Sequence, residues 1–561
     1  FFSINHSCTF TKWTNLQLSS IMTKQASNYF WQRIGVLILF STLFLGCNTT
    51  DKETKTKQVF RYNEHKNIGS LDPAFAKDNA DISAVNQLFN GLVQMDSLMN
   101  VMPSIASSWQ ISENAKTYTF KLRKDVYFHT HPLFGTDQTR TVNASDFVYS
   151  FNRLKDPKLA SPGGWVLQNV ESYKAVNEHS FQITLKSPFP AFLALLTMKY
   201  CSVVPKEIVN HYGADFRSNP IGTGPYKFKR WEENIKLIFR KNKRYFETDL
   251  EGKKLPHMEA VSITFLTDKQ SEFLQFVQGN IDYISGLDAS YKDDILEADG
   301  VLNSRYVSSV KMLRAPYLNT EYLGFYMDSK VPEYQSELIR KAVNYGFDRS
   351  KMMKYLRNGI GVPAVGGFVP RGLPGHNEFA GYNYQPEKAK QLLETYRTES
   401  GNVQPEINLT TTSNYLSFSE FIQRELQSSG LTVRIEVMPP SALKSAKSNG
   451  KTDLFRASWV ADYPDAQNYL SLFYSGNFAP NGPNYTHFKD PQFDKWYEQA
   501  MLETDQKKRV NLYRKMDALV MEKAPVVVLF YDEVVRFTTK NITGLGINPT
   551  NLLDLKNVQK N

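Results

Sequence analysis

The chain has 561 residues, of which 41% are hydrophobic and 22% charged, and its formal net charge is +10 at pH 7. This length exceeds the size at which a single hydrophobic core stops growing, so two or three lobes are expected. The basic residues are scattered rather than gathered in tracts interleaved with aromatic residues, which argues against nucleic-acid binding.

The N-terminal region has the pattern of an export signal. Two basic residues after Met22 precede 13 uncharged residues, 34–46, which end before Cys47. That segment is too short for a helix that spans a bilayer, which needs about 20 residues, so a cleaved signal is expected. We therefore expect residues 1–21 to be untranslated upstream sequence and residues 22–46 to be the signal peptide.

The residues Phe44-Leu45-Gly46-Cys47 resemble a bacterial lipobox, in which the cysteine becomes the acylated first residue of the mature protein; Phe44 stands where Leu is usual. We expect lipidation at Cys47, a polar tether at residues 47–58, and a position in the cell envelope facing the periplasm or the cell surface. A plain secretory signal with an incidental cysteine is the alternative.

Cysteine and histidine usage argues against metal and disulfide chemistry. Of the three cysteines only Cys201 lies in the expected mature body, where it follows an apolar run and is interpreted as a buried small hydrophobe. His129 and His131 alternate on one expected strand face, but two histidines alone do not make a metal site. We expect no metal and no cofactor.

Residues 453–465 combine a guanidinium, a carboxylate and two large aromatic side chains in one short segment. In an extended strand the side chains of Arg456 and Asp462 point to the same side, with backbones roughly 20 Å apart. The reach of the Arg side chain shortens that gap to one that a peptide of about three to five residues spans. The pair suits the two ends of a zwitterion, and it equally suits a buried strand whose charges pair with neighbours.

Hydrophobic periodicity predicts a chain that mixes strands and helices. Strands are expected at residues 118–122, 126–129, 226–231, 235–240, 281–284 and 525–531, and helices at residues 85–93, 147–154, 271–277, 338–343 and 505–520. The run at 525–531 is apolar throughout, which is typical of a strand buried on both faces.

Several motifs occur in a fixed order. Residues 103–109 read Pro-Ser-Ile-Ala-Ser-Ser-Trp, and a helix is expected to begin after Asn143. Residues 219–226 read Asn-Pro-Ile-Gly-Thr-Gly-Pro-Tyr, whose glycines lack phosphate-loop spacing and are interpreted as allowing a tight turn. Together these motifs resemble the extracytoplasmic solute-binding proteins of family 5, the oligopeptide, dipeptide and nickel class that serves ATP-driven importers. In the family's pattern for the strands expected at residues 118–122 and 126–129, Gly is usual at the position of Asp125.

The resemblance implies an α/β, two-lobed periplasmic-binding-protein fold of type II, cluster C, with an extra domain inserted in the first lobe. The expected boundaries are residues 59–94, 205–315 and 528–561 for lobe I, 95–204 for the inserted domain, and 316–527 for lobe II. In this family the ligand is enclosed between the lobes, and the transporter recognises the closed state.

The resemblance also implies a binding site. In peptide binders of the family, a Trp-x-x-Asp segment supplies the carboxylate for the ligand's α-ammonium, and an Arg six residues earlier meets the ligand carboxylate. The matching residues are Asp462 as the amine anchor and Arg456 as the carboxylate partner. Trp459, Tyr463, Asn484 and Tyr485 are expected to form pocket walls.

The expected function is that of a monomeric receptor that encloses short peptides and delivers them to the permease subunits of an ABC importer, held at the membrane by its lipid. One alternative keeps the fold but binds a sugar, an opine or a metal chelate, and a neutral sugar would not need the Arg456 and Asp462 pair. A hydrolase is the remote alternative, since neither a Gly-x-Ser-x-Gly elbow nor a His-Glu-x-x-His motif is present. We expect no enzyme activity.

Overall fold

A computed structural model describes residues 58–378 and 381–561. The expectations for the signal peptide, for the lipidation of Cys47 and for nearly all of the tether lie outside the described residues. The chain from Gln58 to Asn561 clusters as one unit. Within the two described ranges, no helix has both the length and the apolar character needed to cross a membrane.

Strands and helices alternate along the described chain. The strands are β1 (Val59–Asn63), β2 (Val93–Met95), β3 (Val101–Pro103), β4 (Ala106–Ile111), β5 (Thr117–Leu122), β6 (Val170–Asn177), β7 (Ser180–Leu185), β8 (Tyr226–Glu232), β9 (Lys236–Lys241), β10 (Ala260–Thr264), β11 (Tyr283–Ser285), β12 (Val310–Phe325), β13 (Val362–Pro363), β14 (Glu406–Thr411), β15 (Thr432–Val437), β16 (Leu454–Val460), β17 (Val526–Thr539), β18 (Ile542–Thr543) and β19 (Gln559–Lys560). The helices are α1 (Asn79–Leu88), α2 (Ala144–Lys155), α3 (Phe192–Leu195), α4 (Lys206–Tyr212), α5 (Lys269–Val277), α6 (Lys292–Ile295), α7 (Pro332–Gln335), α8 (Glu337–Tyr345), α9 (Arg349–Arg357), α10 (Pro386–Ser400), α11 (Leu416–Ser428), α12 (Pro440–Ser448), α13 (Ala466–Leu470), α14 (Pro491–Leu502) and α15 (Gln506–Lys523).

The largest sheet has 11 strands within the described residues, in the order β15-β14-β16-β12-β17-β11-β1-β10-β9-β8, with β13 paired to β17. Parallel pairs join β1 to β10 and β14 to β15, whereas β12 pairs antiparallel with both β16 and β17. We call strands β1 and β8–β11 the first sheet half and strands β14–β16 the second sheet half. The two long strands β12 and β17 connect them.

The ladder between β12 and β17 is interrupted near its middle. The segment from Val310 to Pro316 pairs with the end of β17, and Thr320 to Gly324 pairs with its beginning. The register shifts between Pro316 and Thr320. The first sheet half is joined to one side of this irregularity and the second sheet half to the other. A change in the relative orientation of the two halves therefore has its natural pivot here.

A separate four-stranded sheet, in the order β4-β5-β7-β6, is covered by α2. That helix begins with a capping box, in which the Asn143 and Asp146 side chains each accept a main-chain N–H of the other residue. Its buried face presents Phe147 and Phe151, whose ring centroids lie 5.6 and 5.5 Å from that of Phe181 on β7. These residues form one core cluster with Cys201, which is 1% exposed, so its interpretation as a buried hydrophobe is confirmed. The boundaries expected for the inserted domain and the two lobes stay predictions.

Local periodicity predicted most elements correctly. The expected strands at 118–122, 226–231, 235–240 and 525–531 are present as β5, β8, β9 and β17, and the helices expected around residues 147–154, 271–277, 338–343 and 505–520 are present as α2, α5, α8 and α15. The helix expected at 85–93 is wrong in its bounds, because α1 ends at Leu88 and residues 93–95 form β2. Residues 126–129 form no strand and contribute one isolated bridge, Tyr127 to Thr141.

The glycines of the Asn219–Tyr226 motif are required by a close approach to the end of α1. A Cβ on Gly222 would lie 2.1 Å from the Leu88 carbonyl oxygen, and one on Gly224 would lie 2.4 Å from the Leu88 carbonyl carbon. The Gly224 N–H donates to that same carbonyl oxygen at 2.8 Å. Neither glycine has a positive φ, so space rather than backbone conformation sets the requirement.

Candidate functional site

A cavity of about 500 Å³ lies where the two sheet halves and the segment after α3 meet. One wall consists of residues 64–66, which follow β1, and residues 76–80, which lead into α1. Residues 197–200 form another wall, and Val460–Asp462 contribute from the second sheet half. Tyr317, in the interrupted part of β12, also lines it. The volume is within the range of about 300–1,000 Å³ typical of small-ligand pockets.

Asp462 lies just beyond the end of a sheet strand. The strand β16 ends at Val460, and the next residue, Ala461, donates its N–H to the Leu318 carbonyl at 2.9 Å. Three residues after Asp462, the Asp465 carboxylate caps α13 by accepting the Gln467 N–H at 2.9 Å. The turn is therefore held at both ends, and it presents Asp462 to the cavity.

The Asp462 carboxylate has one polar contact, from the Asn468 side-chain amide at 3.5 Å. Within the described part of the chain no Lys, Arg or His forms an ion pair with it. Asp462 is accessible to solvent, but partial desolvation in the cavity raises its pKa, and the Asn468 bond only partly opposes this rise. A carboxylate in a recess without a cation is suited to bind an ammonium group.

Arg456, the expected carboxylate partner, lies on β16 opposite Leu323 and does not line the cavity. Its guanidinium forms an ion pair with Glu321, whose side chain is 3% exposed, and stacks over the Tyr415 ring at 3.2 Å from the centroid. Burial raises the pKa of Glu321, and the guanidinium opposes that rise. The Asn319 amide donates a further hydrogen bond to Glu321 at 3.0 Å. The Arg456 charge is therefore already matched inside the protein.

Two expected wall residues, Trp459 and Tyr463, contact protein groups outside the cavity lining. The Trp459 Nε1–H donates to the Asn468 Oδ1 atom at 2.8 Å, and the Asp462 main-chain N–H donates to the same atom at 3.4 Å. Trp459 therefore helps to position the amide that contacts Asp462. Tyr463 is 6% exposed, and its ring lies edge-on to Phe189, with centroids 6.3 Å apart. This contact joins the second sheet half to the segment that precedes α3.

Asn484 and Tyr485 also lie outside the cavity lining. Asn484 is fully buried, and its amide donates to the carbonyls of Tyr474 and Phe488 at 3.1 and 2.9 Å, so its contacts hold a loop together. The Tyr485 ring lies beneath the Lys447 ammonium at 4.3 Å. Of the six expected ligand-binding residues, Asp462 is the one that the structure places in the cavity wall.

Three cavity residues were not anticipated from the sequence. Tyr317 hydrogen-bonds the Asn79 side chain, which connects β12 to the start of α1. Burial raises the pKa of Tyr200 to about 12, and the Asp462 carboxylate contributes to the rise, so Tyr200 lies near that carboxylate. Lys199 precedes it in the chain. No motif marks these positions, since Tyr317 and the adjacent residues Lys199 and Tyr200 come from distant segments and only folding brings them together.

The two histidines of the sequence pattern bond protein atoms. The His129 Nε2 atom lies 3.0 Å from the Gly224 carbonyl, and the His131 Nε2 atom lies 3.0 Å from the Tyr212 hydroxyl. In the described ranges no group of three or more His, Cys, Asp or Glu side chains is arranged to hold a metal ion.

Comparisons with known proteins agree with this architecture. Residues 100–481 match the model of bacterial extracellular solute-binding proteins, family 5 Middle. The probable di/tripeptide-binding protein 5 of Pseudomonas aeruginosa (strain UCBPP-PA14) is 26% identical over 502 residues, which cover 85% of this chain and 90% of that protein. The dipeptide-binding protein of Escherichia coli (strain K12) is 25% identical over 504 residues, with coverage of 85% and 90%.

The structural comparison gives the same fold. The ABC transporter-associated periplasmic binding protein DppA from Helicobacter pylori, solved in complex with the peptide STSA, superposes with a TM-score of 0.73 at 24% identity over 90% of this chain and 98% of that chain. The expected periplasmic-binding-protein fold is thereby confirmed. The chain belongs to the bacterial extracellular solute-binding proteins of family 5.

Proposed function

We propose that this protein is an extracytoplasmic receptor that encloses short peptides between its two lobes and delivers them to an ABC importer. The observation that carries the proposal is the Asp462 carboxylate, which faces the cavity without a cationic partner among the described residues. The relatives named as di/tripeptide-binding and dipeptide-binding proteins support the peptide as the ligand class.

An α-ammonium group is the natural partner of this carboxylate. Enclosed charges need a counter-charge, since the attraction between ions rises as water is removed. The raised pKa of Asp462 reflects the cost of holding its charge where the cavity walls partly exclude water. An incoming ammonium would reverse that cost, so the carboxylate favours ligands that bring a positive charge.

The two sheet halves can close around a ligand because both contribute walls to the cavity. Residues 76–80 pack with the core of the first sheet half, whereas Val460 ends β16 of the second sheet half. A ligand that contacts both walls stabilises the arrangement in which they face each other. We further propose that the mature protein is a lipid-anchored monomer, that its closed form engages a permease, and that it has no enzyme activity.

The test compares Asp462→Asn with the wild type by isothermal titration calorimetry, using trialanine and N-acetyl-trialanine. The variant is expected to lose affinity for trialanine by about 30-fold or more, because removing one partner of an enclosed charge pair costs about 2–5 kcal/mol. Its affinity for the acetylated peptide should change little. Asp137→Asn is the matched control, since Asp137 is an exposed carboxylate outside the cavity lining. Equal losses on both peptides would overturn the assignment of Asp462, and a wild type that binds no member of a short-peptide library would overturn the function.

A further inference from the structure

The cavity has a second charged group without a partner. Lys199 begins a short 3-10 helix, Lys199–Cys201, and lines the same cavity as Asp462. Its ammonium makes neither an ion pair nor a hydrogen bond with any described residue. The Asp554 carboxylate is near enough to favour the charged form but lies beyond ion-pair distance. An anion bound in the cavity would give this ammonium the contact that it lacks.

The other lysines nearby differ from Lys199. Lys66 and Lys77 line the cavity but are exposed, so water solvates their ammonium groups. Lys556 is paired with Glu247 at 2.7 Å. Burial lowers the pKa of Lys199 to about 8, and Lys556 adds to the decrease while Asp554 opposes it. Lys199 therefore combines a half-buried position in the cavity wall with the absence of a counter-ion among the described residues.

Lys199 and Asp462 carry opposite charges and lie on separate walls of the cavity. Within the described residues no ion pair or hydrogen bond joins the two groups, so neither neutralises the other. The next residue, Tyr200, lies near Asp462, because the Asp462 charge contributes to the raised pKa of Tyr200. The two walls therefore belong to one recess. A short molecule with a positive and a negative end would satisfy both groups at once.

We propose that Lys199 binds the carboxylate of the ligand, so that Asp462 and Lys199 select short peptides with both termini free. This inference rests on the proposed function and assigns a residue that determines specificity. Arg456 is the competing assignment, but its guanidinium is held by Glu321 and lies outside the cavity lining. The ligand's far end is thereby assigned to the segment after α3 rather than to β16.

The experiment measures the affinities of trialanine and trialanine amide by calorimetry. Lys199→Met is expected to weaken binding of the free acid by about 30-fold or more and binding of the amide by about 3-fold or less, because only the acid loses a charge partner. Lys199→Arg keeps the positive charge and, unlike Lys199→Met, should retain the preference for the free acid. Lys206→Met makes the same change at an exposed lysine outside the cavity lining and should leave both affinities within about 3-fold of the wild type. Thermal unfolding monitors the fold of each variant.

The outcomes separate this inference from the proposed function. If the wild type binds neither peptide, the proposed function fails and the inference fails with it. If the wild type binds both and Asp462→Asn discriminates at the amine end, but Lys199→Met weakens acid and amide equally, the inference alone is overturned. Loss of the acid preference in Arg456→Met with retention in Lys199→Met would also overturn it, by assigning the carboxylate to Arg456.

Discussion

Charged side chains near the cleft fall into two groups, those paired with an opposite charge within the protein and those without a counter-ion among the described residues. Arg456 belongs to the first group, because its guanidinium forms an ion pair with Glu321 and stacks on the Tyr415 ring. Asp462 and Lys199 belong to the second. The difference follows from the pairing of β16 with β12, which brings Arg456 and Glu321 within contact distance.

This division predicts the effect of Arg456→Met. The variant leaves Glu321 as a buried carboxylate without its cation, and we expect the free energy of unfolding to fall by about 3–5 kcal/mol. Urea unfolding followed by circular dichroism measures it. Adding Glu321→Gln should restore most of the loss, since a neutral amide can still accept the Asn319 hydrogen bond. If Arg456→Met unfolded at the same midpoint urea concentration as the wild type, the interpretation that Arg456 neutralises Glu321 would be contradicted.

The same residues show how far a site can be predicted from sequence. Asp462 follows a local motif, but the expectation that it shares one extended strand with Arg456 is wrong, because β16 ends at Val460. The partner of Arg456 lies 135 residues earlier in the chain, and Lys199 comes from yet another segment. Pairing across such separations depends on sheet register and lobe packing, which local periodicity does not contain.

Single elements were predictable where their own pattern decides their structure. Helix α2 has its capping box and its apolar stripe within 13 residues, from Asn143 to Lys155, and it forms as expected. Helix α1 was misplaced because the apolar pattern continues past its end. Phe89, Leu92 and Val93 are buried at 0–2% exposure, but they belong to the following loop and to β2. A buried loop and a buried helix face give the same hydrophobic signal.

The contact between the end of α1 and the glycine motif predicts the effect of Gly224→Ala. A Cβ there would lie 2.4 Å from the Leu88 backbone, which cannot move without displacing the helix end. We expect the free energy of unfolding to fall by about 1–3 kcal/mol, as for an overpacked core, measured by urea unfolding. Gly69→Ala is the control, because nothing lies within 4 Å of its added Cβ and it should stay within about 0.5 kcal/mol of the wild type. Equal effects of the two substitutions would contradict the close-approach argument.

At the scale of the whole molecule, two sheet halves are connected through strands that lose their register in the middle. The ladder of β12 with β17 is regular from Val310 to Pro316, and a second register shift follows between Glu321 and Tyr322. The Tyr463 and Phe189 rings meet across the cleft, and the cavity takes its walls from both halves. A ligand that contacts both walls can therefore decide the balance between open and closed arrangements.

Closure by a ligand predicts a change in shape and in stability that depends on both charged anchors. Trialanine at 100 times its dissociation constant should raise the free energy of unfolding of the wild type by about 2.7 kcal/mol, because it binds only the folded state. Small-angle X-ray scattering should show a smaller radius of gyration under the same conditions, since the bound peptide holds the two halves together. The double variant Asp462→Asn, Lys199→Met should show neither change at that peptide concentration, because neither end of the peptide finds its counter-charge. A wild-type scattering curve that saturating peptide leaves unaltered would show that binding occurs without closure, and the interruption in β12 would then not act as a hinge.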